Sequence, residues 1–289
     1  MQYLTRLTGG KRNLVELYKS GQELIVKKTI HRSSKFDFYA CERDTLLALK
    51  DSGLAPELID FDDNNNIILY KFVKGETLKN KIQNPKGIAE KLVELHNYSA
   101  NKNGKSFSFR RDPKFDLTDL VQLYEKLGYK MDNPTAKALE KVFSRKKTSI
   151  ETNIHGSLIP TNIIINDNVV TFIDFEMASK NNPFLDLAYI CAFLPEEIST
   201  SLQKTYIANT LINNQEFSRN INYARYHLCG LTLALFLKNT EDQEISNRAR
   251  KLKKFLEKRI TNSPEEILLT KYFSKIIIPN GEIKNANRS

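Results

Sequence analysis

Along the first quarter of the chain, apolar and polar positions alternate in short runs. Residues 3–7, 14–18 and 23–29 are rich in β-branched and aromatic side chains, and Thr8-Gly9-Gly10 and Ser20-Gly21 punctuate them. This pattern predicts three strands joined by turns. The period then lengthens. Phe38, Cys41, Thr45, Leu46 and Leu49 recur at spacings near three and four, and Gly53 follows as a stop, which predicts a helix over residues 36–52. Residues 54–59 and 66–70 read as further strands around the loop 60–66. From residue 76 onward the helical period dominates. Ile88, Leu92, Val93 and Leu95 define an amphipathic helix ending at His96, a histidine read as packed or capping. A polar loop over 97–113 precedes helical segments near 117–127 and 135–143. An apolar helix over 184–194 and a long helical stretch over 196–259 close the pattern. The tail, 264–289, contributes only the apolar run Ile276-Ile277-Ile278 and a polar end expected to fray.

One stretch interrupts the helices. Asn162 opens the β-branched run Ile163-Ile164-Ile165, the turn residues Asn166-Asp167-Asn168 follow, and a second run from Val169 leads to Ile173 and Asp174. Two β-rich runs around an Asn/Asp cluster predict an antiparallel hairpin. Folding there brings Asn162 beside Asp174. An amide oxygen and a carboxylate converging at one end of a hairpin suit a hard cation such as Mg²⁺, which takes oxygen ligands. For an isolated Asn/Asp pair, solvated hairpin ends are the simpler reading.

Composition narrows the classes. At 289 residues the chain can bury a substantial core, and 40% hydrophobic with 27% charged residues is ordinary for a globular protein. No run approaches the roughly 18 apolar residues needed to span a bilayer, and the N-terminus lacks a signal core. Cys41, Cys191 and Cys229 are widely spaced in apolar surroundings, so a reducing, cytoplasmic setting is expected. The net charge of +10 admits nucleic acid, an acidic membrane or an anionic ligand. It is spread along the chain without a recognised nucleic-acid module, so a lysine-rich solvated surface is the first reading. There is no GxxxxGK[ST] and no GxGxxG, which removes support for Walker-type and Rossmann sites.

The segment His155-Gly156-Ser157-Leu158, then Asn162, then Ile173-Asp174-Phe175-Glu176, resembles the aminoglycoside phosphotransferase and choline kinase superfamily. The resemblance extends in order over most of residues 3–195 and is specific at 155–176. It implies an α+β, bilobal protein-kinase-like fold. Residues 1–75 would form a small antiparallel-sheet lobe with one helix that binds the nucleotide, and 76–289 a larger, mainly helical catalytic and substrate lobe. Carried over position by position, Gly9 and Gly10 would lie over the nucleotide phosphates. Lys27 would orient the phosphates, with Lys28 as the register alternative, and Glu42 would pair with that lysine. Backbone groups of Lys71, Phe72 and Val73 would meet the base. Asp174 and Asn162 would hold Mg²⁺, His155 would brace the loop, and Glu176 and Asp186 would support it.

The departure is at Ser157, where the family carries its catalytic Asp. A serine hydroxyl can align an acceptor but cannot accept a proton near neutral pH, and losing a general base typically costs about 10²–10⁴ in rate. The expected function is an ATP- or GTP-dependent, Mg²⁺-dependent phosphotransferase acting on the hydroxyl of a small molecule: an amino alcohol such as choline or ethanolamine, an aminoglycoside or a sugar. An inactive, nucleotide-binding scaffold of the same fold is the alternative. No nucleic-acid partner is expected, and the sequence specifies no oligomeric state. Without Trp, any box for a quaternary amine must use Tyr or Phe.

Overall fold

A computed structural model of the chain describes residues 1–7, 13–31, 37–79, 84–98, 117–144, 152–238, 241–257 and 263–278. These divide into two compact units, Met1–Lys114 with Thr148–Ile221, and Phe115–Lys147 with Asn222–Ser289.

The first unit opens with β1 (Gln2–Arg6), β2 (Leu14–Ser20) and β3 (Glu23–Thr29), followed by α1 (Phe38–Ala48), β4 (Leu58–Asp62) and β5 (Ile67–Lys71). The strands form one antiparallel sheet in the order β1-β2-β3-β5-β4. Gly21 turns β2 into β3 at a φ of 61°, where glycine avoids the Cβ penalty. Asp37 caps α1 by accepting the N–H of Ala40 at 3.0 Å. The expected helix over 36–52 is thus shorter at both ends. The strand expected over 54–59 forms later, as β4, because Leu54 belongs elsewhere. Its carbonyl accepts the N–H of Phe172 at 2.9 Å.

A short strand, β6 (Glu76–Thr77), and α2 (Pro85–His96) lead to β7 (Thr152–Ile154) and a 3₁₀ turn, Pro160–Asn162. The predicted hairpin is β8 (Ile163–Asn166) with β9 (Val169–Phe172), and its tip residues Asp167 and Asn168 have φ of 50° and 95°. Two positive φ values at a two-residue loop match the right-handed twist of the flanking strands, and Asn and Asp tolerate them well. β6 extends this hairpin into three strands, and β10 (Ser179–Asn181) pairs with β7. Gly75, before β6, has a φ of 135°, and a Cβ there would lie 2.6 Å from the carbonyl oxygen of Ile165. Close packing of that linker on the hairpin therefore requires glycine. α5 (Phe184–Phe193), α6 (Glu196–Ala208) and the start of α7 (Asn214–Lys238) complete the unit, with α2 packed against α6.

The second unit is helical: α3 (Leu117–Lys126), α4 (Asn133–Ser144), the rest of α7, α8 (Gln243–Glu257) and α9 (Pro264–Ser274). Tyr226, Phe236, Leu252, Leu256, Leu269 and Phe273 are buried. The helix α9 was not expected in the tail. Pro264 at its first turn and the buried Leu269 and Phe273 are the local signals for it. Antiparallel sheet followed by predominantly helical chain is the α+β, protein-kinase-like architecture expected from sequence.

Candidate active site

The hairpin delivers its two ends together. Ile173 donates its N–H to the Asn162 carbonyl at 3.0 Å, closing the ladder, and Asn162 Nδ2 lies 3.4 Å from Asp174 Oδ2. A second bond from Asn162 Nδ2 to the Ser157 carbonyl, 3.0 Å, fixes the amide. Asp174 itself has a φ of 70°, left-handed and unusual for a residue with a Cβ. Such strain persists only where the surroundings enforce it. Here the next residue, Phe175, is fully buried, and its ring lies 4.6 Å from that of His155.

Lys28 reaches this end from β3. Its ammonium lies 2.5 Å from Glu42 on α1 and 2.5 Å from Asp174 Oδ1. Lys27 instead faces Glu16 on β2, at 4.0 Å. The Lys27–Glu42 pair expected from sequence is therefore Lys28–Glu42, the register alternative. Leu24-Ile25-Val26 is apolar on both faces of the strand, and Ile25 and Val26 are both buried, so alternation alone could not choose between the two lysines.

One cation here faces two carboxylates. Burial would lower the Lys28 pKa, but Asp174 and Glu42 outweigh it and hold the ammonium well above its usual range. Burial pushes Glu42 up to about 7, with Lys28 opposing and Asp174 reinforcing the rise. Tyr70, beside them on β5, is held above its usual value, mainly by burial.

The loop before Ser157 is supported from below. Asp186, in the first turn of α5 and 1% exposed, accepts the N–H of His155 at 2.6 Å and of Gly156 at 2.9 Å. A carboxylate in a first helical turn is also favoured by the helix dipole. His155 Nε2 contacts the Ile173 carbonyl at 2.9 Å, while its Nδ1 accepts the Ser157 N–H at 3.3 Å. The carbonyl requires a proton on Nε2, and Nδ1 must then be bare, so the ring is neutral. Burial accordingly lowers its pKa, against the pull of Asp186. Among the described residues the Ser157 hydroxyl makes no hydrogen bond.

Other expected residues fall as follows. Glu176 accepts from Asn13 Nδ2 at 2.7 Å, and Asn13 is buried at the start of β2. Gly9 and Gly10 lie outside the described residues. In the expected base-binding segment, the Lys71 N–H donates to the Glu57 carbonyl and the Phe72 N–H to that of Leu24, both at 2.9 Å. Among the described residues this leaves the Val73 N–H as the backbone donor of that segment without a partner. The Lys71 amine pairs with Glu57 at 2.9 Å and Glu23 at 3.5 Å. Tyr206, Phe217, Tyr223, Tyr226, His227 and Phe236, aromatic and histidine side chains of the helical stretch after residue 196, are all buried.

Asn13 was not expected at the site, and neither was the link from Tyr206 through His96 to Asp186. His96 carries a signal, a histidine closing an apolar helix stripe, but its partner lies 90 positions away. No sequence feature singled out Asn13.

The donor set fits a divalent cation. Asp174 offers a carboxylate, and the Asn162 amide, which turns its nitrogen toward Asp174 here, carries an oxygen on the same group, while no group of three or more His, Cys, Asp or Glu forms a metal cage among the described residues. That suits Mg²⁺, which binds through one or two protein oxygens, with water and phosphate completing its octahedron.

A two-part fold with a buried lysine–glutamate pair beside this Asn/Asp end is of the protein-kinase-like class. Residues 4–227 match the phosphotransferase enzyme family, and the chain belongs to that family. A curated relative, the Protein LicA homolog of Mycoplasma capricolum, is 26% identical over 186 residues, covering 61% of this chain and 71% of its own. Among solved structures, a choline/ethanolamine kinase family protein from Mesorhizobium loti superposes with a TM-score of 0.67 at 17% identity, covering 93% and 91% of the two chains. Choline kinase LicA from Streptococcus pneumoniae gives 0.62 at 20% identity, covering 90% and 95%.

Proposed function

We propose that the protein is a nucleotide- and Mg²⁺-dependent phosphotransferase acting on the hydroxyl of a small amino alcohol such as choline or ethanolamine. The observation that carries this reading is the convergence of Lys28, Glu42, Asp174 and Asn162 at one hairpin end. A LicA structure in complex with AMP and an aminoglycoside 2'-phosphotransferase-IIIa structure with GDP share the fold, which supports nucleotide use with ATP or GTP as donor. The LicA homolog and the choline/ethanolamine kinase family protein favour an amino alcohol over an aminoglycoside or sugar as acceptor. The nucleotide lobe would be residues 1–75 and the catalytic and substrate lobe 76–289. A cytoplasmic setting suits such a substrate, and no described helix is long and apolar enough to cross a membrane.

Phosphoryl transfer through a loose transition state asks for positioning and charge neutralisation more than covalent help. Lys28, freed from Asp174, would bind phosphate oxygens while Glu42 holds its ammonium from the other side. Asp174 and Asn162 would hold Mg²⁺, which when bound supplies the positive charge that offsets the phosphates. The Val73 N–H would donate to the base. Neutral His155 braces the loop, and the Ser157 hydroxyl would align the acceptor hydroxyl without removing its proton.

Ser157 favours a second reading, a family member that binds nucleotide without efficient turnover. Calorimetry with ATP and GTP, each with and without Mg²⁺, tests the shared part. Binding to neither nucleotide would remove both readings. Turnover of choline and ethanolamine by the protein and by Ser157→Asp then separates them. Measurable turnover by the unaltered protein supports the enzyme, whereas turnover confined to Ser157→Asp supports the non-catalytic reading.

A further inference from the structure

Asp186 is held as firmly as it holds. Beyond the two loop N–H groups, its Oδ2 lies 3.2 Å from Nε2 of His96, the last residue of α2. The other ring nitrogen, Nδ1, lies 2.7 Å from the hydroxyl of Tyr206 on α6. All three side chains are buried, and the ring of Tyr206 meets that of His96 edge-on at 5.6 Å.

The Asp186 carboxylate sets the directions of these bonds. A carboxylate can only accept, so Nε2 carries a proton and donates to Asp186. With a single proton on the ring, Nδ1 accepts and the tyrosine hydroxyl donates to it. The chain runs Tyr206 O–H to His96, His96 N–H to Asp186, and Asp186 to the N–H groups of His155 and Gly156. Every buried polar atom in it has a defined partner, the condition under which such a network adds rigidity. Its output is the backbone immediately before Ser157. At Gly156 that backbone has a φ of 79°, and a Cβ would lie 2.0 Å from the Met177 carbonyl oxygen, so the loop has little room to settle elsewhere.

We infer that His96 and Tyr206 are positioning residues: by orienting the Asp186 carboxylate they set the backbone of the loop that presents Ser157. Neither would touch substrate. The catalytic consequence rests on the phosphotransferase reading, whereas the structural consequence does not.

The test compares His96→Leu, which removes the donor, with His96→Gln, whose amide can donate to Asp186 and accept from Tyr206, and with Tyr206→Phe. Amide hydrogen exchange, resolved at His155 and Gly156 in the full chain, is the deciding readout. His96→Leu should raise exchange at these two amides by about 10-fold or more, with a smaller rise in Tyr206→Phe and near-normal protection in His96→Gln. Wherever turnover is measurable, kcat should fall on the order of 10–100-fold in His96→Leu, as for other groups that orient a functional side chain, while KM holds. Unchanged exchange at 155 and 156 in His96→Leu overturns the inference. So does a rise spread evenly over the first unit, because that is global loosening. Loss of the kcat effect with the local exchange change intact would count against the phosphotransferase reading and leave the positioning role standing.

Discussion

Lys28 Nζ lies 2.5 Å from Asp174 Oδ1 although 146 residues separate them. With Glu42 at the same distance, two carboxylates share a single buried ammonium. Removing a buried charge partner strands the other and typically costs about 3–5 kcal/mol. Lys28→Met should therefore be markedly less stable in urea at pH 7.5 and should lose nucleotide binding by calorimetry. Part of the lost stability should return on acidification, as Glu42 takes up a proton. Lys27→Met serves as the control. Its amine is partly exposed and 4.0 Å from Glu16, so stability should change by no more than about 0.5 kcal/mol and affinity should hold. The reverse ranking of the two variants would exclude Lys28 from the phosphate role.

Two buried groups give stability opposite dependences on pH. The pKa of His155 is lowered from 6.5 by burial. As pH falls through 6.5 the unfolded chain therefore gains a proton that the folded chain refuses, and stability drops by at most about 1.4 kcal/mol per pH unit. Glu42, raised from 4.5 to about 7, does the reverse. Between those values the folded chain holds the extra proton, so stability rises as pH falls from 7 to 4.5. Urea unfolding from pH 4.5 to 7.5 should show His155→Gln gaining stability toward acid and Glu42→Gln losing it, each relative to the unaltered protein, in which the two effects oppose each other. Superimposable profiles for the three proteins would contradict both assignments.

Much of the fold was legible because its signals are local. The β8–β9 hairpin follows from β-branched runs around Asn166-Asp167-Asn168, and α2 from one apolar stripe. The Asn162–Asp174 approach was legible for the same reason, since hairpin geometry fixes it once the turn is found. The choice of Lys28 over Lys27 was not, because β3 is buried on both faces near Ile25 and Val26 and register is decided by β2 and β5. His96 and Tyr206 were illegible as partners of Asp186, since α2, α5 and α6 meet only through tertiary packing. The helix α9 was missed because its buried residues are too few to show a stripe beside the polar tail.

Gly156 and Gly128 have nearly the same φ, 79° and 80°, but differ in surroundings. A Cβ at Gly128 would meet nothing within 4 Å, whereas at Gly156 it would sit 2.0 Å from the Met177 carbonyl oxygen. The left-handed conformation alone costs a residue with a Cβ about 1–2 kcal/mol. Gly128→Ala should show that cost and no more. Gly156→Ala should add about 1–3 kcal/mol of overpacking, because the obstacle is backbone and cannot rotate away. Melting of the two variants side by side gives the difference. Equal losses would mean that the loop moves aside freely, and would weaken the view that it is rigidly held.

Asn13 and Glu176 supply the last test. Asn13 Nδ2 donates to Glu176 Oε2 at 2.7 Å, tying the start of β2 to the segment two residues beyond Asp174. Among the described residues the Asn13 amide oxygen is buried without a hydrogen-bond partner, so the side chain is held through its nitrogen alone. Asn13→Asp replaces that donor with a second carboxylate facing Glu176, and a buried carboxylate pair resists joint ionisation. The variant should melt lower at pH 7.5 than at pH 5.5, relative to the parent protein, and should bind ATP–Mg²⁺ about 10-fold more weakly if β2 is displaced. Adding Glu176→Gln restores one donor and one acceptor in reversed order. The double variant should therefore recover most of the melting temperature. If Asn13→Asp matches the parent at both pH values, the contact does not constrain β2, and the nucleotide site does not depend on it.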